Sequence, residues 1–179
     1  MFHAINTCVL GVGLSGLTFH VPFILASPGT FTLQSVLERN PRSEGGKVKD
    51  RFGVNVKVHR SLRDVLDDPA IELVIIGTPN NTHYEFAKAI LEAGKHGESN
   101  CSHSYACWTE KYLVLVDKPV TATVQQAREL GALAKLKGLV LYAFQNRRWD
   151  SDFLALKRLL TQPETAPLSL GSITEIESQ

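Results

Sequence analysis

Gly11-Val12-Gly13-Leu14-Ser15-Gly16 has the residue types and spacing of a loop that holds a pyrophosphate. Gly11 permits a tight turn after a strand, Gly13 lets the backbone approach the phosphates, and Gly16 lets the next helix pack closely on the strand. The helix N-terminus would then face the phosphates with free N–H groups and its positive dipole end. A plain glycine-rich turn can carry the same letters, so the assignment depends on what surrounds it. Glu38 lies about 20 residues beyond Gly16, where a carboxylate can accept hydrogen bonds from both hydroxyls of an adenosine ribose, which favours NAD. Arg39 beside it could instead pair with a 2′-phosphate, which keeps NADP open; a solvated turn is the plain alternative for both.

Three more polar clusters follow apolar runs: Gly77-Thr78-Pro79-Asn80-Asn81-Thr82-His83, Asp117-Lys118-Pro119 and Gln145-Asn146-Arg147-Arg148-Trp149-Asp150. In the first, backbone and short polar side chains could line the cofactor's edge, with Thr82 capping the next helix. His83 alone would more often be a helix-surface residue. The candidate cofactor residues are therefore Gly11, Gly13, Leu14, Ser15, Gly16, Glu38, Arg39, Thr78, Pro79, Asn80, His83, Pro119, Asn146, Arg147 and Trp149. Every cluster falls at the carboxyl end of an expected strand, where open α/β sheets bind ligands.

The elements that must position these residues are short apolar runs alternating with helical patterns, the rhythm of a parallel sheet with crossover helices. Strands are expected at 5–10, 31–37, 54–58, 73–76, 114–116 and 139–144. Helices are expected at Leu14–Leu25, briefly within the polar stretch Asn40–Asp50, after the capping pair Ser61 and Asp64, at Thr82–Ala93, and from Thr123 to Gly138. The last should bury Ala127, Leu130, Leu133 and Ala134. The fold class is α/β, a doubly wound parallel Rossmann sheet.

At 179 residues, 44% of them hydrophobic, the chain can bury one good core and begin a second. A net charge of +1, from 19 basic and 18 acidic residues, offers no field to draw nucleic acid or an anionic membrane. Three cysteines make no disulfide framework and suit a reducing compartment, the cytoplasm. The apolar start to Ala26 lacks an early Lys or Arg and is broken by glycines, unlike a secretory signal. No stretch is long and apolar enough to span a bilayer.

The residues resemble the Gfo/Idh/MocA oxidoreductases. The likeness lies in Gly11–Pro22 with its Phe19-His20-Val21-Pro22, in Thr78–His96, in Asp117-Lys118-Pro119, and in Asn146–Phe153, and it is strongest toward the subgroup containing NADP-dependent scyllo-inositol dehydrogenases. The resemblance implies hydride transfer between a nicotinamide, NAD or NADP, and a sugar, cyclitol or related alcohol. It also implies that Lys118 is catalytic, orienting substrate and tuning the proton-transfer step.

Two features depart from the family. Its members continue into a second α/β domain that usually supplies a catalytic histidine and the sheet through which copies associate. In this sequence residues 1–145 correspond to the cofactor domain and 146–179 to a linking helix, Ser151–Leu160, and a first strand, Ile173–Glu177. The chain is thus read as truncated, without the histidine, and with Leu168, Leu170 and Ile173 exposed; a non-catalytic dinucleotide-binding sensor or regulator is the alternative. Residues 97–113 are the second departure, an insertion where relatives run from Gly94-Lys95-His96 into the next strand. Its Cys101, His103 and Cys107 give three ligands at no standard zinc spacing, so no metal is assigned. Given a eukaryotic source, codons for Gly97-Glu98-Ser99 can supply an intron donor and those for Leu113-Val114 an acceptor. In-frame removal restores an uninterrupted family pattern, so a retained intron explains the insertion; a genuine surface loop at the amino edge of the sheet is the other reading.

Overall fold

The computed structural model of the chain describes residues 3–94, 113–163, 165–172 and 174–175. It divides into two compact units, Met1–Phe144 and Gln145–Gln179. The first is built on six parallel strands: β1 (Ile5–Leu10), β2 (Phe31–Leu37), β3 (Lys57–His59), β4 (Leu73–Ile76), β5 (Leu113–Val116) and β6 (Val140–Ala143). Their order in the sheet is β3-β2-β1-β4-β5-β6, all pairs parallel. The chain turns back between β1 and β4, which opens a crevice at the carboxyl ends of those two strands. This is the doubly wound Rossmann sheet expected from the sequence.

β4 reads as a continuous apolar run, and β1 does so from Cys8 to Leu10, because the sheet is covered on both faces. Cys8, Leu10, Val74, Ile76 and Val116 point into one core with Ile90, Leu91 and Leu130. Val9, Val36 and Ile75 point into the other with Val21, Ile24 and Val48. The first core is closed by α3 (Leu62–Leu66), α4 (His83–Ala93) and α5 (Val124–Lys137), the second by α1 (Val21–Leu25) and α2 (Gly46–Phe52). Cys8 is a free, buried cysteine; burial pushes its thiol pKa up to about 12, which keeps it unreactive.

Several helix ends form as the sequence dictates. Ser61 and Asp64 make a reciprocal capping box at α3, and the Thr123 side chain accepts from the Gln126 N–H before α5, which Gly138 ends in the left-handed conformation. Other expectations need correction. The single helix expected over Leu14–Leu25 contains a π-helical segment, Gly16–His20, before α1. Pro22 has no N–H to give Thr18, so the ladder shifts, and the Val21 N–H reaches back five residues to the Gly16 carbonyl. Thr82 forms no side-chain cap; it ends a 3-10 turn, Asn80–Thr82, and its hydroxyl donates to the Pro79 carbonyl at 2.7 Å. Ala127 is exposed, so the buried stripe of α5 is carried by Leu130 and Ala134, with Leu133 half-buried. β3 begins later than expected because β2 offers it partners only from Ser35 to Leu37.

Residues 95–112 lie outside the described residues, and with them most of the expected insertion and its cysteines and histidine. Leu113 is the exception: it opens β5, in register with Leu73 and Val140. The second unit contains a 3-10 turn, Asn146–Trp149, and α6 (Ser151–Leu160). Of the expected strand Ile173–Glu177, only Thr174 and Glu175 are described, and both lie in irregular structure. Leu168 and Leu170 are exposed, as the sequence suggests. Among the described residues no helix is long and apolar enough to cross a membrane, and no three His, Cys, Asp or Glu side chains gather as a metal site.

Candidate functional site

A cavity of about 380 Å³ opens at the carboxyl ends of β1, β2 and β4, where sheet topology places a ligand crevice. Gly11, Val12 and Gly13 line it from the β1 turn, Leu37, Glu38, Arg39 and Asn40 from the end of β2, and Thr78, Pro79, Thr82 and Phe86 from the segment after β4. Lys47, at the start of α2, completes the wall.

Each glycine of the loop has a distinct structural reason. Gly11 has φ +91°, and a Cβ there would also come 2.9 Å from the Gly77 carbonyl oxygen. A Cβ on Gly16 would overlap the Gly11 carbonyl oxygen. Gly13 has nothing within 4 Å of where its Cβ would stand, so its bareness serves the open cavity rather than the fold. The positive φ of Gly11 and the close approach at Gly16 agree with the turn and packing roles expected from spacing.

Glu38 is 6% exposed, and its two oxygens differ. Oε2 accepts the Lys47 N–H at 2.9 Å, which uses the carboxylate to satisfy a free N–H at the start of α2. Oε1 is buried without a protein partner, and Glu38 is a residue of the cavity wall. A buried acceptor left unpaired costs about 1–3 kcal/mol, so a ligand hydroxyl donating to Oε1 would recover that cost. The site therefore fits the ribose of a dinucleotide. Arg39 and Lys47, both cationic, are among the residues that line the cavity with Glu38.

The remaining sequence candidates are placed unevenly. Gly16 lies behind the loop, and Leu14 is 82% exposed without lining the cavity. Ser15 turns away from the cavity, and its hydroxyl donates to Asp117 Oδ2. Asn80 is exposed at the start of its turn, and Lys118 and Pro119 are exposed just past β5; none of the three lines the cavity. Asn146, Arg147 and Trp149 belong to the second unit, where Arg147 pairs with Asp150 at 3.0 Å.

His83 requires a correction. It is 1% exposed, not a helix-surface residue, and does not line the cavity. Its Nδ1 lies 2.7 Å from the Pro119 carbonyl oxygen and its Nε2 2.8 Å from that of Thr78. With each ring nitrogen beside a backbone carbonyl, one of which takes the ring N–H, and the ring enclosed, His83 is an internal brace between the segments after β4 and β5 rather than a cofactor contact. Sequence reasoning missed Val12, Leu37, Asn40, Lys47, Thr82 and Phe86 as wall residues. Phe86 lies one helical turn beyond Thr82, a spacing that puts it on the cavity side, but it reads equally as core stripe.

A doubly wound parallel sheet with a glycine loop and a strand-end carboxylate around one crevice defines a dinucleotide-binding Rossmann domain. Residues 5–97 match the model of an oxidoreductase family described as having an NAD-binding Rossmann fold. The chain belongs to that family, the Gfo/Idh/MocA oxidoreductases, and is its NAD-binding Rossmann part. It is 44% identical over 174 residues to the uncharacterized oxidoreductase YdgJ of Escherichia coli, covering 97% of this chain and 42% of YdgJ. It is 37% identical over 158 residues to scyllo-inositol 2-dehydrogenase (NADP(+)) IolW of Bacillus subtilis, covering 88% of this chain and 38% of IolW. A crystal structure of a putative oxidoreductase from Bacteroides fragilis superposes with a TM-score of 0.69 at 40% identity, covering 89% of this chain and 42% of that one. The chain thus spans about two fifths of the length of these relatives.

Proposed function

We propose that this chain holds NAD for an oxidoreductase that transfers hydride between the nicotinamide and a carbon bearing a hydroxyl in a sugar, cyclitol or related small alcohol. The observation that carries the cofactor assignment is Glu38, which lines the glycine-loop cavity and keeps one buried carboxylate oxygen unpaired. Gly11–Gly16 would hold the pyrophosphate, Glu38 the adenosine ribose, and Thr78, Pro79 and Asn80 the edge toward the nicotinamide, with His83 bracing their loop. NAD, when bound, accepts or delivers the hydride. Lys118, at the end of β5, would orient the substrate hydroxyl and hold or release a proton at Nζ. The alcohol class rests on the family and on IolW, whose name gives scyllo-inositol.

Arg39 and Lys47 favour a second cofactor reading, because two cationic residues lining the cavity beside Glu38 suit a 2′-phosphate. The buried carboxylate opposes it by charge repulsion, and NAD is the reading adopted. On this view 1–145 is the cofactor domain and 146–179 begins the substrate domain of a longer protein, whose copies would associate through that domain. The family match stops at residue 97, which supports reading the following segment as an insertion, with a retained intron as its source. A cytoplasmic setting suits the free Cys8 thiol. Titration of the purified chain with NAD and with NADP tests the cofactor assignment. Saturable binding with NAD the tighter is expected, and no binding of either would overturn it.

A further inference from the structure

The loop after β5 and the first turn after the glycine loop are joined by a carboxylate that does not line the glycine-loop cavity. Asp117 receives the Ser15 hydroxyl on Oδ2 and the N–H of Lys118 on Oδ1 at 2.8 Å. Its own N–H donates to the Ile76 carbonyl at 2.9 Å, so the residue is fixed at the end of the sheet. His20 lies beneath it, 4% exposed, with Nε2 3.8 Å from Oδ2 and its ring tilted against Phe144 at 5.0 Å. Gly77 leaves the room: a Cβ there would approach the His20 ring at 3.3 Å and the Ser15 hydroxyl at 3.4 Å. Ser15 enters the π-helical segment, whose shifted ladder holds the first turn less regularly than an α-helix would.

A carboxylate this close to a pyrophosphate loop opposes binding of an anionic ligand by simple Coulomb repulsion. Its presence calls for a compensating role, and its two hydrogen bonds show one. We propose that Asp117 is a positioning residue for the cofactor site: it pins Ser15, and with it the phosphate-facing first turn, to the end of β5. This rests on the cofactor reading above. Field and geometry predict opposite signs, which makes the proposal testable. Loss of the charge alone should tighten NAD binding; loss of the anchor should weaken it.

The experiment is NAD titration of the full chain as wild type, Asp117→Ala, Asp117→Asn, Ser15→Ala and Ser15→Ala/Asp117→Ala, each with a thermal melt. Asp117→Ala is expected to weaken NAD about five- to tenfold, the scale of one lost charge-assisted hydrogen bond. Asp117→Asn restores binding to the wild-type level or tighter, because its amide oxygen accepts the Lys118 N–H, its NH₂ donates to Ser15, and the opposing charge is gone. The double variant binds no more weakly than Asp117→Ala alone, since both substitutions remove one contact. If Asp117→Ala does not fold, Ser15→Ala removes the same contact from the other side and carries the same expectation. NAD binding by Asp117→Ala, or failing that by Ser15→Ala, as tight as or tighter than wild type would overturn the positioning role. Additive losses in the double variant would do so as well. A wild-type chain that binds no NAD would overturn the cofactor reading and this inference with it.

Discussion

Replacing Gly13 with valine separates the cost of a side chain to the cofactor from its cost to the fold. Gly13 is absent from the positive-φ glycines, and its would-be Cβ meets nothing within 4 Å, so the folded chain has conformational and physical room for the substitution. Stability should change by no more than about 0.5 kcal/mol, the range for sites without packing or strain. The new methyl groups stand in the cavity where the pyrophosphate must approach the backbone. NAD affinity should fall at least about tenfold, or ~1.4 kcal/mol. Gly16→Ala provides the contrast, because its Cβ overlaps the Gly11 carbonyl oxygen and the backbone must move. That substitution should cost about 3 kcal/mol or more of stability. Urea unfolding and NAD titration of the two variants make the comparison. A folded Gly13→Val that binds NAD as wild type does would refute the phosphate-loop assignment, and a Gly16→Ala of unchanged stability would refute the packing argument.

Glu38→Ala should weaken NAD by about tenfold and NADP by less, while costing about 1 kcal/mol of stability because the Lys47 N–H loses its acceptor; parallel titrations and urea midpoints read both. His83→Ala leaves two carbonyls without their bridge and a void in the interior, and should lower stability by about 2–4 kcal/mol, measured by urea unfolding. Burial lowers the pKa of His20 and of His59 from the ordinary 6.5, although Asp117 and Asp68 respectively oppose the shift. The unfolded chain therefore takes up these protons first as pH falls. This contribution to stability is full above about pH 6.5 and is lost as pH drops toward the folded-state values. Urea midpoints measured from pH 8 down to about 5 should decline at the acid end, and His20→Gln should make the decline shallower.

What the sequence made legible follows from locality. The run Leu73–Ile76, the Ser61–Asp64 capping box and the Thr123 cap depend on neighbours a few positions apart, and each forms as its spacing implies. The glycine loop and Glu38 were readable because the topology of a doubly wound sheet fixes where a β1 turn and a β2 end must meet. The π-helical segment was not, because it depends on which carbonyl the missing N–H of Pro22 strands. Ser15 and Asp117 stand 102 positions apart, and no local pattern announces a contact across four crossovers. The burial of His83 was hidden for a related reason: its partners are backbone carbonyls of Thr78 and Pro119, which every residue type carries. Lys47 lines the cavity from the start of α2, where its N–H is held by the Glu38 carboxylate nine positions earlier.

The most direct test of NAD binding at this cleft is an amide ¹H–¹⁵N correlation spectrum of the full chain recorded through a titration with NAD. The cleft predicts saturable shifts at Gly11, Gly13, Glu38, Arg39 and Thr78, with the amides of α5 unmoved. Saturable shifts confined to residues away from the cavity, or none at any NAD concentration, would contradict it.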